Sequence, residues 1–137
     1  MQTPYRVGTN IEIIGYENDT HGSFYGAEVI EVLPMVGWLR VKYERLYDEN
    51  ENRITEVVPE TVMRWKPPAQ RRGQFLVGEH VDVWEKEGWW YGVVIQQLDA
   101  MYEIDFSDFG RPSAIVDESL IRRHMTRYEG RWVYPSH

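Results

Sequence analysis

The residues in this 137-residue sequence that could do chemistry are rings and carboxylates. The chemistry they suit is the holding of cations, because an aromatic face and a carboxylate both attract positive charge. Trp 6, Tyr 9 and Phe 4 make up 14% of the chain, more than a core of this size needs by itself. Phe24-Tyr25 and Trp89-Trp90 are adjacent pairs. On a strand two neighbours point to opposite faces, so one ring of each pair lies outside the core or at an interface. Glu44, Asp48, Glu49 and Glu51 form an acidic run, and Glu85, Glu87, Asp105 and Asp108 can extend the same surface. Such a run reads either as a solvated loop or as a groove for a basic peptide. The net charge of −7 draws basic partners and speeds their encounter. It is the opposite sign to that of a protein that coats nucleic-acid backbone, so nucleic acid is not the expected partner. Bond-making chemistry has little support. Cys is absent, and there is no Gly-x-Ser-x-Gly elbow and no phosphate loop. His21, His80, His124 and His137 have no metal-ligand spacing. No carboxylate pair stands out as acid and base. No enzyme activity, metal or cofactor is expected.

The elements that must carry these residues occur twice. Tyr5-Arg6-Val7-Gly8 is matched by Phe75-Leu76-Val77-Gly78, and Ile11-Glu12-Ile13 by Val81-Asp82-Val83. Gly22–Ala27 is matched by Gly88–Val93, which sets Tyr25 against Tyr91. Leu39–Tyr43 matches Tyr102–Phe106, and Val57–Arg64 matches Ile115–Arg122. Five blocks in the same order indicate two copies of one module. Lys66-Pro67-Pro68 and Gly73 mark the break, giving a first domain over 1–67, a linker over 68–73 and a second domain over 74–137. The period within each copy is 2, as in Val41/Tyr43 and Tyr102/Ile104/Phe106, so the chain reads as all-β. Four or five short strands per copy predict a small, strongly bent barrel. Pro59–Met63 and Asp117–Ile121 read as one-turn helices, the second capped by Asp117. A unit of ~65 residues is marginal alone, so the two barrels are expected to pack side by side in one monomeric cassette. Trp38, Trp65 and Trp132 read as packing or inter-barrel residues. No run of about 18 apolar residues is present, so no membrane partner is expected. Neither a leader nor a disulfide framework is legible, which suits a reducing compartment. The abrupt ends suggest a segment of a longer protein.

Two stretches carry a family resemblance. "GSFYGAEVIEV…WLRVKYERL…ITEVVPETVMRWKPP" and "FLVGEHVDVWEKEGWWYGVVIQQL…YEIDFSDF…LIRRHMTRYEGRWV" resemble the two halves of a plant tandem Agenet module, over roughly residues 5–133. The resemblance implies two SH3-like barrels of the Tudor-like group. It further implies a nuclear reader of a histone H3 tail carrying di- or trimethylated lysine at its ninth residue, linking that heterochromatin mark to silencing and DNA methylation. A methylated ammonium keeps its charge but loses donors, so ring faces hold it better than a salt bridge does. In Tudor-like barrels the rings come from the end of the first strand, the start of the second, the end of the third and the turn after it. In the second copy those places hold Trp84, Tyr91, Phe106 and Phe109, with Asp108 as the carboxylate. In the first copy they hold Ile14, Tyr25, Tyr43 and Leu46, of which two are not aromatic. A shifted cage of Phe24 or Tyr25 with Tyr43, Tyr47 and Asp48 is the alternative there. The acidic groove for the tail would use Glu44, Glu49, Glu51, Glu85, Glu87 and Asp105. The rival readings are an RNA or nucleic-acid adaptor using Arg71-Arg72 and Arg122-Arg123-Arg127-Arg131, and a scaffold for a non-histone protein.

Overall fold

The computed structural model describes residues 3–17, 22–70 and 73–135. Their regular structure is β-strand and single-turn 3-10 helix only, so the chain is all-β. It divides into two compact units, Met1–Lys66 and Pro67–His137.

In the first unit, β1 (Asn10–Ile14), β2 (Phe24–Val32), β3 (Trp38–Tyr47), β4 (Arg53–Pro59) and β5 (Met63–Trp65) pair antiparallel in the order β5-β1-β2-β3-β4. Alternation puts Ile11, Ile13, Val29, Leu39, Val41 and Val58 on one face, where all are at most 1% exposed. A register shift between Val29 and Glu31 bends the sheet over this core. The 3-10 turn Glu60–Val62 starts after Pro59 and returns the chain to β1.

The second unit repeats the plan. Its strands are β6 (His80–Glu85), β7 (Gly88–Leu98), β8 (Met101–Asp105), β9 (Ala114–Asp117) and β10 (Ile121–Arg123). They pair in the order β10-β6-β7-β8-β9, and the bend recurs between Val94 and Gln96. Even the connections repeat: Gly8 N donates to Val29 O and Gly78 N to Val94 O. Asp117 caps the second 3-10 turn by accepting from Ser119 N. A short hairpin follows, β11 (Thr126–Tyr128) and β12 (Arg131–Val133). Gln70, in the stretch that reads as linker, is fastened to the second unit. Its side chain donates to Arg123 O and accepts from Arg123 N, both at 2.7 Å.

Two expectations need correction. The sheets are strongly bent but do not close into barrels: among the described residues, the last two strands of each unit are joined by a 3-10 turn and do not pair. The repeat also aligns differently at the start of β2 and β7. Ile13 pairs with Tyr25 while Val83 pairs with Trp90, so Tyr25 corresponds to Trp90 and Gly26 to Tyr91. The connection after β1 is longer than the tight Lys86-Glu87 turn after β6, both residues of which take left-handed φ. A shift of one residue moves a side chain to the other face of the sheet.

Candidate cation-binding site

In the first unit two tyrosines bond to one carboxylate and a third lies near them. Tyr43 on β3 points inward with Val41, and its hydroxyl donates to Glu56 Oε2 at 2.9 Å. Tyr16, on the segment after β1, donates to the other oxygen, Glu56 Oε1, and is 48% exposed. Tyr25 on β2 packs against the core edge and accepts a hydrogen bond from Ser23 Oγ at 3.1 Å. Glu56 belongs to β4, where Ile54, Glu56 and Val58 share the inward face. The strand therefore places a carboxylate at the open end of the core, where a hydrocarbon would be the simple choice. Burial raises the pKa of Glu56. Tyr43 is pushed up to about 12, first by burial and then by the charge of Glu17 and the nearby Tyr25. The phenol thus stays protonated and donates. One exposed ring, one half-buried ring and one buried ring beside a half-buried carboxylate form a site suited to a cation with apolar substituents.

Other first-unit candidates lie apart from this cluster or are already occupied. Phe24 is buried, and the Arg64 guanidinium lies 3.6 Å from its ring centre. Tyr47 is exposed at the end of β3. Asp48 shapes the turn to β4 by accepting from Asn50 N and Asn52 N at 2.8 and 2.9 Å. Glu49 and Glu51 are exposed in that turn. Glu44 lies over Gly26, where a Cβ would come within 2.7 Å of its carboxylate, and it pairs with Lys66 at 2.6 Å.

In the second unit the rings fall on two faces. Phe106 is fully buried beneath the core face of β7, and Trp90 lies on that same face with Phe109 edge-on at 5.0 Å. Arg111 lies over Phe106 at 3.9 Å, and both its terminal nitrogens bind Glu85, at 2.8 and 3.0 Å. That pairing lowers the Glu85 pKa. Trp84 and Tyr91 stand on the opposite face. Trp84 meets Trp89 edge-on at 5.2 Å. Tyr91 is bonded to His80 and packs edge-on against His124 at 4.8 Å. The four rings Trp84, Tyr91, Phe106 and Phe109 are therefore not brought together. Asp105 accepts from Ser107, Asp108 is exposed in the 3-10 turn Ser107–Phe109, and Glu87 is exposed in the β6–β7 turn.

A family model for the Agenet domain matches residues 8–68, which span all five strands of the first unit. Residues 8–68 thus form an Agenet domain. Among curated proteins it is similar to Protein AGENET DOMAIN (AGD)-CONTAINING P1 of Arabidopsis thaliana, 30% identical over 92% of the chain and 25% of that protein. It is also 27% identical to DUF724 domain-containing protein 3 of the same plant, over 71% of the chain and 14% of that protein. The chain thus spans a quarter or less of the curated relatives it matches. Its fold is that of solved tandem Agenet domains. The crystal structure of Arabidopsis thaliana AGDP1 AGD34 superposes with a TM-score of 0.87 at 24% identity, covering 96% of this chain and 90% of that one. ADCP1 tandem Agenet domain 3-4 gives 0.83 at 23%, covering 96% and 89%.

Each unit also holds an acid–arginine pair absent from the candidates that the sequence suggests. Glu12 accepts from Arg64 at 2.8 Å and Asp82 from Arg122 at 2.9 Å, with both acids at most 2% exposed. Each arginine covers a ring, Phe24 in one unit and Trp89 in the other. The pairs are the same device at matched positions, and the alternation Ile-Glu-Ile and Val-Asp-Val is its signal.

Proposed function

We propose that this Agenet chain is a chromatin reader module that binds a basic histone H3 tail carrying methylated lysine, with the di- or trimethylated ninth residue as the mark. The observation that carries this reading is the first-unit cluster: Glu56 on an inward strand position, two tyrosine hydroxyls on its oxygens, and Tyr25 alongside. Tyr16, Tyr25 and Tyr43 would meet the methyl groups and Glu56 the charge. The acidic residues of the first unit's β3–β4 turn would draw the Arg- and Lys-rich tail. Two domains, 1–67 and 74–137, joined by 68–73, would act as one reader in the nucleus, linking the mark to silencing and DNA methylation, with no cofactor and no catalytic step. The nucleic-acid reading has less support. Arg122 and Arg123 are engaged by Asp82 and Glu79, and Arg71 and Arg72 lie outside the described residues, as do His21 and His137. The test is calorimetric titration of H3 tail peptides, unmodified and dimethylated at the ninth residue, into the wild-type chain and Glu56→Gln. A methylation-dependent affinity that the variant loses supports the reading; equal affinity for both peptides overturns it.

A further inference from the structure

The second unit holds its own ring cluster at matched strand positions. Trp90 corresponds to Tyr25, and Phe106, one residue past the end of β8 and beside Gly92, to Tyr43 opposite Ala27. Phe109 adds a third ring and Glu85 the carboxylate. This set has the ingredients of a cation site, and it already contains a cation. The Arg111 guanidinium sits 3.9 Å from the Phe106 centre and 5.7 Å from that of Trp90, with its fork on Glu85. The backbone explains how it arrives. Gly110, at φ 64, ends the 3-10 turn in the left-handed region and turns the chain back over Phe106, and Pro112 follows immediately. The seat is imperfect: Arg111 Nε is buried with no acceptor among the described residues. A buried donor without a partner weakens its own binding, so this guanidinium is held less firmly than its two Glu85 contacts suggest.

We propose that Arg111 is an intramolecular ligand that closes a second cation site formed by Trp90, Phe106, Phe109 and Glu85. The class of ligand that fits is a methylated ammonium or a guanidinium presented by a peptide side chain, and it binds only when Arg111 leaves. While Arg111 is seated, the second unit takes no such residue. This inference stands on the second unit alone and does not depend on the reading of the first.

The test uses the full chain, labelled with 15N, and N-acetyl-trimethyllysine methylamide as the probe. The reporter is the Trp90 indole N–H, which donates to Glu85 O at 2.8 Å. In wild type the probe should leave this resonance without a saturable shift. In Arg111→Ala it should shift and saturate, with apparent affinity at least about tenfold above wild type, the factor by which a closed state suppresses binding. A folded Arg111→Ala that gives no saturable shift overturns the proposal, as does a wild-type protein that binds equally well at Trp90. If Arg111→Ala does not fold, the wild-type Arg111 Nε–H resonance decides. Seated over Phe106 it should be displaced upfield and exchange slowly with water. An unfolded-chain position with free exchange would overturn the claim.

Discussion

Replacing Glu56 by Gln removes one negative charge from the base of the three-tyrosine site and keeps the shape of the side chain. A cation about 4 Å from the carboxylate would gain ~1–4 kcal/mol between effective dielectric constants of about 80 and 20. Glu56 is only half-buried, and the cation sheds water as it enters, so the lower part of that range applies: about 1–2 kcal/mol, roughly five- to thirtyfold in affinity. The pH dependence separates this from a packing effect. Burial raises the Glu56 pKa, so the free site takes up a proton more readily than an ordinary glutamate. A bound cation favours the ionised form, so wild-type affinity should fall as pH drops through that raised pKa, while the Gln variant stays flat and the two converge in acid. Stability runs the other way. Between the unfolded glutamate pKa and the raised folded one, the native state binds more protons than the unfolded state, so stability is lost as pH rises through that window. Glu56→Gln should therefore melt no lower than wild type at neutral pH, and its affinity loss cannot be laid to unfolding. Calorimetric titrations with the dimethylated H3 peptide at pH 5, 6 and 7.5, beside thermal melts, make the comparison. An affinity loss of the same size at every pH, or none, would refute the role given to the carboxylate.

Tyr16→Leu should weaken the methylated peptide by roughly five- to thirtyfold and barely alter the unmethylated one, because it removes a ring face while Glu56 remains; equal losses for both peptides by calorimetry would show that the ring does not discriminate. Gly92→Ala should destabilise the second unit by about 1–3 kcal/mol, read as a lower denaturant midpoint, because a Cβ there runs into Ile104 Cγ2 and comes within 2.9 Å of Asp105 O. Asp82→Asn should cost about 3–5 kcal/mol by the same assay, since the fully buried carboxylate pairs with Arg122 and lies 2.7 Å from His124 Nδ1; a loss under 1 kcal/mol would show the pair to be dispensable.

Strand identity and the repeat were legible because period 2 is a local signal, and Val41/Tyr43 and Tyr102/Ile104/Phe106 announce their inward faces directly. The site was legible in part. Tyr25 and Tyr43 stand out as rings, but Glu56 was hidden among many acids, although its place between Ile54 and Val58 in the alternation marks it as inward-facing. Trp84 and Tyr91 join Phe106 in the sequence reading because the Tudor-like resemblance takes a ring from each of four places in the chain, and matching Tyr91 to Tyr25 hides that Tyr91 lies on the other face. The length of the turn after the first strand decides that register, and turn length is not a property of the matched residues. Arg111 had no sequence signal: its seat over Phe106 depends on Gly110 turning the chain back, a long-range outcome of a local conformation.

In the function proposed, the first unit distinguishes a methylated lysine through Tyr16, Tyr25, Tyr43 and Glu56. The most direct measurement of this is a spectrum of the 15N-labelled full chain titrated with H3 tail peptide dimethylated at the ninth residue. Saturable shifts centred on Tyr16, Tyr25, Tyr43 and Glu56 are expected, absent with the unmodified peptide. Shifts that leave those four residues untouched, or that are the same with both peptides, would contradict that function.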